Sequence, residues 1–145
     1  MDNKVEVQDG ITLKFPKNFE WGTATAAFQI EGGVSERGRC IWDAFCDVSG
    51  NVDNGDDGTV ACDHYHRYEE DVALMKQLGV KNYRFSLSWP RLFPKGRVED
   101  GVNEKGRQFY DGLIDCLIRN GIKPGLLTQL IFLFSFSLFC SLSPL

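Results

Sequence analysis

The chain has 145 residues, with 16 Lys+Arg against 20 Asp+Glu for a net charge of -4, and is 43% apolar and 25% charged. These values match ordinary globular usage and exclude a disordered tail, a collagen-like chain and a dense disulfide framework. The mild acidity argues against non-specific binding to nucleic acid or an anionic membrane, and the length falls short of the ~250 residues typical of a whole (β/α)8 barrel.

Residues 1–14 read as a mobile polar lead-in of mixed charge, with no apolar run to make a secretory signal. The next stretch, Phe15–Gly33, is rich in small residues and holds a predicted strand around Phe19–Thr25. Val34–Thr59 is loop-rich, and its GNVDNGDDG run is turn chemistry. From Asp63, a candidate N-cap, the residues Tyr65, Tyr68, Val72, Met75 and Leu78 recur at spacings of three and four, which predicts a helix that Gly79 ends. NYRFSLSW then alternates: Tyr83, Phe85 and Leu87 point one way, and Arg84, Ser86 and Ser88 the other. A second helix is predicted from about Glu104 to Asn120, capped by Asn103, with Phe109, Tyr110, Leu113, Ile114, Leu117 and Ile118 on its apolar face. The exits Leu78-Gly79-Val80-Lys81 and Asn120-Gly121-Ile122-Lys123 resemble each other, and each leads into a strand. The order predicts an α/β fold with a parallel sheet: two β/α units and the start of a third.

Arg84 is the most informative single residue. A guanidinium on the polar face of a strand keeps its charge and needs an anion. That anion is either a carboxylate of an active site or a structural partner; a solvated edge strand is the third reading. Gln29 and Glu31 stand among apolar neighbours and need hydrogen-bond partners if buried. Gln29 offers a donor and an acceptor, suited to adjacent sugar hydroxyls, although the residues alone favour a satisfied polar side chain in a turn.

The segment FEWGTATAAFQIEGG, Phe19 to Gly33, resembles the N-terminal signature of family 1 glycoside hydrolases, the β-glucosidase family. CIWDAF (Cys40–Phe45), the run Gly58–Gly96 and the run Gly101–Pro124 follow in family order, so the resemblance covers Leu13 to Pro124. It implies an incomplete (β/α)8 TIM barrel and a retaining mechanism on β-linked glucosides or related sugars, with no cofactor. It also implies that Gln29 binds hydroxyls of the substrate sugar, that Arg84 supports the nucleophilic glutamate, and that Trp89 and Pro90 shape the rim. Retaining hydrolysis needs two carboxyl groups ~5–5.5 Å apart. The family's T-x-N-E-P and E-N-G motifs, which carry them, do not occur here. Leu130 falls near the place of the family's sugar-binding His. The expectation is a chain that lacks both catalytic glutamates and is inactive by itself.

Other carboxylates offer no positioned pair: Glu69, Glu70 and Asp71 read as a solvated helix face, and Asp56 and Asp57 as a turn. Cys62, His64 and His66 at a helix start do not converge as metal ligands, and the DNGDDG turn lacks the ligands of a calcium loop. Cys40, Cys46, Cys62, Cys116 and Cys140 form an odd set without a CxxC pair, which predicts free thiols and a cytoplasmic location. No Asp, Glu, Lys, Arg or His follows Lys123. Residues 125–145 therefore read as a divergent apolar tail, either the product of a truncated or mis-spliced reading frame or a membrane anchor. The competing functional readings are a non-catalytic sugar- or partner-binding remnant and a tail-anchored membrane protein.

Overall fold

The computed structural model describes residues 4–6 and 12–128. The first residues are not a featureless lead-in: β1 (Lys4–Glu6) pairs antiparallel with β2 (Thr12–Lys14). Next come β3 (Gly22–Ala24), the short helix α1 (Ala27–Ile30) and α2 (Ile41–Cys46). The regular part follows: α3 (His64–Gln77), β4 (Asn82–Leu87), α4 (Trp89–Leu92), α5 (Glu104–Arg119) and β5 (Lys123–Thr128).

β3, β4 and β5 form a parallel sheet in that order, with Ala24 opposite Arg84 and Arg84 opposite Gly125. β4 is therefore flanked on both sides, which removes the edge-strand reading of Arg84. β5 also runs through the Pro124–Gly125 boundary, so residues Gly125–Thr128 belong to the sheet and not to a separate tail. The rest of the tail, including Leu130 and Cys140, lies outside the described residues. Among the described residues, no helix is long and apolar enough to cross a membrane.

The helix exits explain the repeat seen in the sequence. Val80 N–H donates to the Met75 carbonyl and Gly79 N–H to Lys76; Ile122 and Gly121 repeat the pattern on Leu117 and Ile118. Each is a Schellman closure, and Gly79 (φ 75°) and Gly121 (φ 73°) take the left-handed position it requires. The chain thus turns from helix into strand twice by the same device. Lys123 N–H then joins the Lys81 carbonyl, which sets the second unit beside the first.

The core lies between one face of the sheet and helices α3 and α5. Val72, Tyr83, Phe85, Phe109, Leu113, Leu117 and Ile122 are buried there, with Tyr65, Tyr68, Met75 and Ile114 packed against them. Two positions on the predicted apolar faces stay outside: Leu78 (78% exposed) and Ile118 (59%). Both belong to the last turn before a glycine exit, although Leu117 in the same turn as Ile118 is fully buried. Asp63 and Asn103 occupy the predicted N-cap positions, but neither side chain bonds its helix backbone. Asp63 precedes α3 but has left-handed backbone (φ 55°), and its carboxylate meets His66 Nδ1. Asn103 precedes α5, yet its side-chain amide donates to the carbonyls of Glu36 and Arg91.

Candidate functional site

The alternation of β4 sends Tyr83 and Phe85 into the core and Arg84 to the opposite face, as expected from period two. Arg84 is exposed, and among the described residues no carboxylate pairs with it. A structural ion pair is thus not what holds it. Its backbone carbonyl accepts Thr25 N–H at 3.0 Å, which fastens the end of β3 beside it. Ser86, on the same face, is buried; its hydroxyl accepts Ala27 N–H at 2.8 Å, so the start of α1 folds over the upper part of β4. Gln29 sits on α1 and is exposed. Gln29 and Arg84 are thus both exposed, Arg84 on the sheet face away from the core and Gln29 on the short helix that Ser86 ties to the same strand. Trp89 and Pro90 begin α4 beyond that strand, with the Trp89 indole donating to the Gly96 carbonyl at 3.0 Å. A cavity of about 50 Å³ past the end of β4 is lined by Phe28, Glu31, Arg37, Trp42, Trp89 and Pro90 among others, and neither Gln29 nor Arg84 lines it.

Beneath this face lies a polar cluster that sequence reasoning did not assemble. Glu31 (4% exposed) receives Arg91 Nε at 2.8 Å on one carboxylate oxygen and the Tyr110 hydroxyl at 2.8 Å on the other. Arg91 (0% exposed) donates through Nη2 to the Gly32 carbonyl at 2.7 Å and stacks over Tyr65, with its guanidinium carbon 4.0 Å from the ring centroid. The Tyr110 hydroxyl also accepts Ser88 N–H at 2.6 Å. Burial, reinforced by the Glu31 charge, pushes the Tyr110 phenol far above its usual range, so it keeps its proton and donates to Glu31. The need of Glu31 for partners was legible. Arg91 was hidden in the loop-like run WPRLFPKG, and Tyr110 passed as one more apolar residue of a helical stripe.

A second anchor holds the loop-rich region. Arg37 grips Asp43 with Nη1 and Nη2 at 2.7 and 2.6 Å, and Asp43 also accepts Cys40 N–H at the start of α2. The Arg37 hydrogen bonds hold the Asp43 carboxyl well below the usual carboxylate range.

Several other acidic residues are engaged structurally. Asp71 is not a solvated surface residue: it turns inward to buried His64, with Nδ1 2.6 Å from its carboxylate. Glu70 pairs with Arg67 and Asp57 closes a turn onto Thr59 N–H. Cys62, His64 and His66 do not converge, because each imidazole faces its own aspartate. The face thus offers hydrogen-bonding groups and the exposed Arg84 cation, which has no ion-pair partner among the described residues.

A family profile described as Glycosyl hydrolase family 1 matches residues 11–138, beyond Pro124 where the resemblance had been placed to end. Beta-glucosidase A of Acetivibrio thermocellus is 53% identical over 116 residues, covering 79% of this chain and 25% of the relative. Beta-glucosidase 24 of Arabidopsis thaliana is 54% identical over 112 residues, covering 76% and 21%. The solved beta-glucosidase of Thermotoga maritima in complex with cyclophellitol superposes with a TM-score of 0.72 at 51% identity, over 77% of this chain and 26% of that one. The chain spans about a quarter of the length of these relatives. With the profile matched over most of its length, the chain belongs to glycosyl hydrolase family 1.

Proposed function

We propose that this chain supplies the substrate-orienting start of a (β/α)8 barrel that hydrolyses β-glucosides with retention. In this reading Gln29 hydrogen-bonds hydroxyls of the sugar, and Arg84 stabilises the carboxylate form of the nucleophile. Both catalytic carboxyl groups belong to motifs that the 145 residues do not contain, so this chain alone does not turn over substrate. The observation that carries the reading is Arg84: an exposed guanidinium on a central strand, without an anionic partner among the described residues, beside the turn that holds Gln29. A permanent cation so placed favours ionisation of a carboxyl group brought within about 4–6 Å. The names of the relatives support the substrate class, and the three-stranded parallel sheet supports the barrel.

The chemistry follows from that division of labour. In a retaining glycosidase a carboxylate bonds the anomeric carbon as the glycosidic C–O bond breaks and an acid protonates the leaving oxygen; water, deprotonated by that same group, then displaces the carboxylate from the anomeric carbon. Hydroxyl contacts that tighten in the transition state lower the barrier, and Gln29 is suited to make them because its amide both donates and accepts. The test is a chimera in which residues 13–124 replace the matching segment of the Thermotoga maritima β-glucosidase. The chimera is expected to hydrolyse an aryl β-glucoside, and the 145-residue chain is not. A folded but inactive chimera, or specific turnover by the chain alone, contradicts the proposal.

A further inference from the structure

We infer that Tyr110, Arg91 and Glu31 are positioning residues for the sugar contact of Gln29, with the Tyr110 hydroxyl as the joint between β4 and the α1 turn. The inference rests on the reading of Gln29 given above.

α1 has only four residues, and its N-cap, Ala26, makes no side-chain cap. A helix of that length does not hold itself, because one turn fixes several residues for very few hydrogen bonds. Gln29 is exposed and has no side-chain hydrogen bond among the described residues, so its direction is set by the backbone beneath it. That backbone is tied at both ends. At the start, Ala27 N–H is held by Ser86 of β4. At the end, the Glu31 carboxylate and the Gly32 carbonyl are held by Arg91, which also stacks on Tyr65, and Tyr65 N–H in turn donates to the Glu31 carbonyl at 3.0 Å.

The Tyr110 hydroxyl adds what the other ties lack. One oxygen accepts the amide of Ser88, just past the end of β4, and donates to Glu31, two residues beyond Gln29. The strand that carries Arg84 and the turn that carries Gln29 are thereby set to a common origin on α5. A buried ion pair contributes little net stability compared with well-packed apolar side chains, whereas its directional bonds fix one geometry. Such fixation matters at a substrate contact, where a displacement of about 1 Å can cost about 100-fold in rate.

Tyr110→Phe removes one oxygen and keeps the ring in the core. Native-state amide exchange of the 145-residue chain needs no catalysis and so is independent of the proposed function. Exchange at Gln29 and Glu31, whose amides bond Ala26 and Ala27 carbonyls, is expected to rise about 10-fold, with the β4–β5 ladder and Ile122 unchanged. Uniform acceleration marks an ordinary core residue and overturns the inference. So does no change, or an absence of protection at Gln29 and Glu31 before substitution. In the chimera, Tyr110→Phe is expected to lower kcat/KM about 10-fold, and to add nothing in a Gln29→Ala background. Additive losses also overturn it. An inactive unsubstituted chimera contradicts the proposed function instead, and the exchange pattern then decides the positioning alone.

Discussion

Replacing Arg91 by Met tests the buried cluster where it is most exposed to error. The change keeps most of the stem and removes the guanidinium. Glu31 then loses the 2.8 Å bond to Nε, and the Gly32 carbonyl loses its 2.7 Å donor. Both side chains are almost entirely buried, at 0% and 6% exposure, so water does not replace what is lost. Breaking a buried pair from one side typically costs about 3–5 kcal/mol, because the remaining charge has no partner. With a urea dependence of about 2 kcal/mol per M, that lowers the unfolding midpoint by about 2 M. The double variant Arg91→Met with Glu31→Leu removes both charges and is expected to recover at least half of the loss. Urea unfolding followed by tryptophan fluorescence gives both values. A loss below about 1 kcal/mol for the single variant, or a double variant as unstable as the single, would show that the cluster is not a desolvated pair.

Two other perturbations separate the two anchors from the substrate face. The folded Asp43 carboxyl is held below its ordinary value by Arg37, so its contribution to stability is present above an unfolded pKa of about 3.9 and is lost as pH falls from there towards the folded value. The melting temperature is therefore expected to fall between pH 5 and 3 (about that window) more steeply than in Asp43→Asn, which lacks this titration; parallel curves contradict the assignment. Arg84→Met in the chimera is expected to lower kcat/KM by about 100-fold or more and to leave the melting temperature unchanged, because the guanidinium is exposed and unpaired among the described residues. A large stability loss with intact activity would make Arg84 structural.

Much of the architecture was legible because its signals are local. The spacing of Tyr65, Tyr68, Val72 and Met75, the alternation across Tyr83–Leu87 and the two glycine exits each depend on residues a few positions apart, and the structure has helix, strand and turn at those places. The strand face of Arg84 was legible for the same reason. What escaped depends on contacts between distant parts of the chain. Glu31, Arg91 and Tyr110 meet from three elements, and neither an arginine in a Pro-rich run nor a tyrosine in an apolar stripe signals its partner. Asp71 was misread because helix periodicity cannot tell a solvated aspartate from one turned towards His64. The caps were legible in place but not in bonding: Asp63 and Asn103 stand at the N-cap positions, yet the Asp63 carboxylate meets His66 in the same first turn and the Asn103 amide bonds the distant Glu36 and Arg91 carbonyls.

The division of labour, with orienting groups inside this segment and the reacting carboxyl groups outside it, is tested most directly by covalent trapping. An activated 2-deoxy-2-fluoroglucoside, which accumulates as the glycosyl-enzyme, is reacted with the chimera and with the 145-residue chain, and the labelled peptide is located by mass spectrometry. The label is expected on a glutamate of the Thermotoga portion, with the 145-residue chain unlabelled. A label on any aspartate or glutamate between residues 13 and 124 would contradict it.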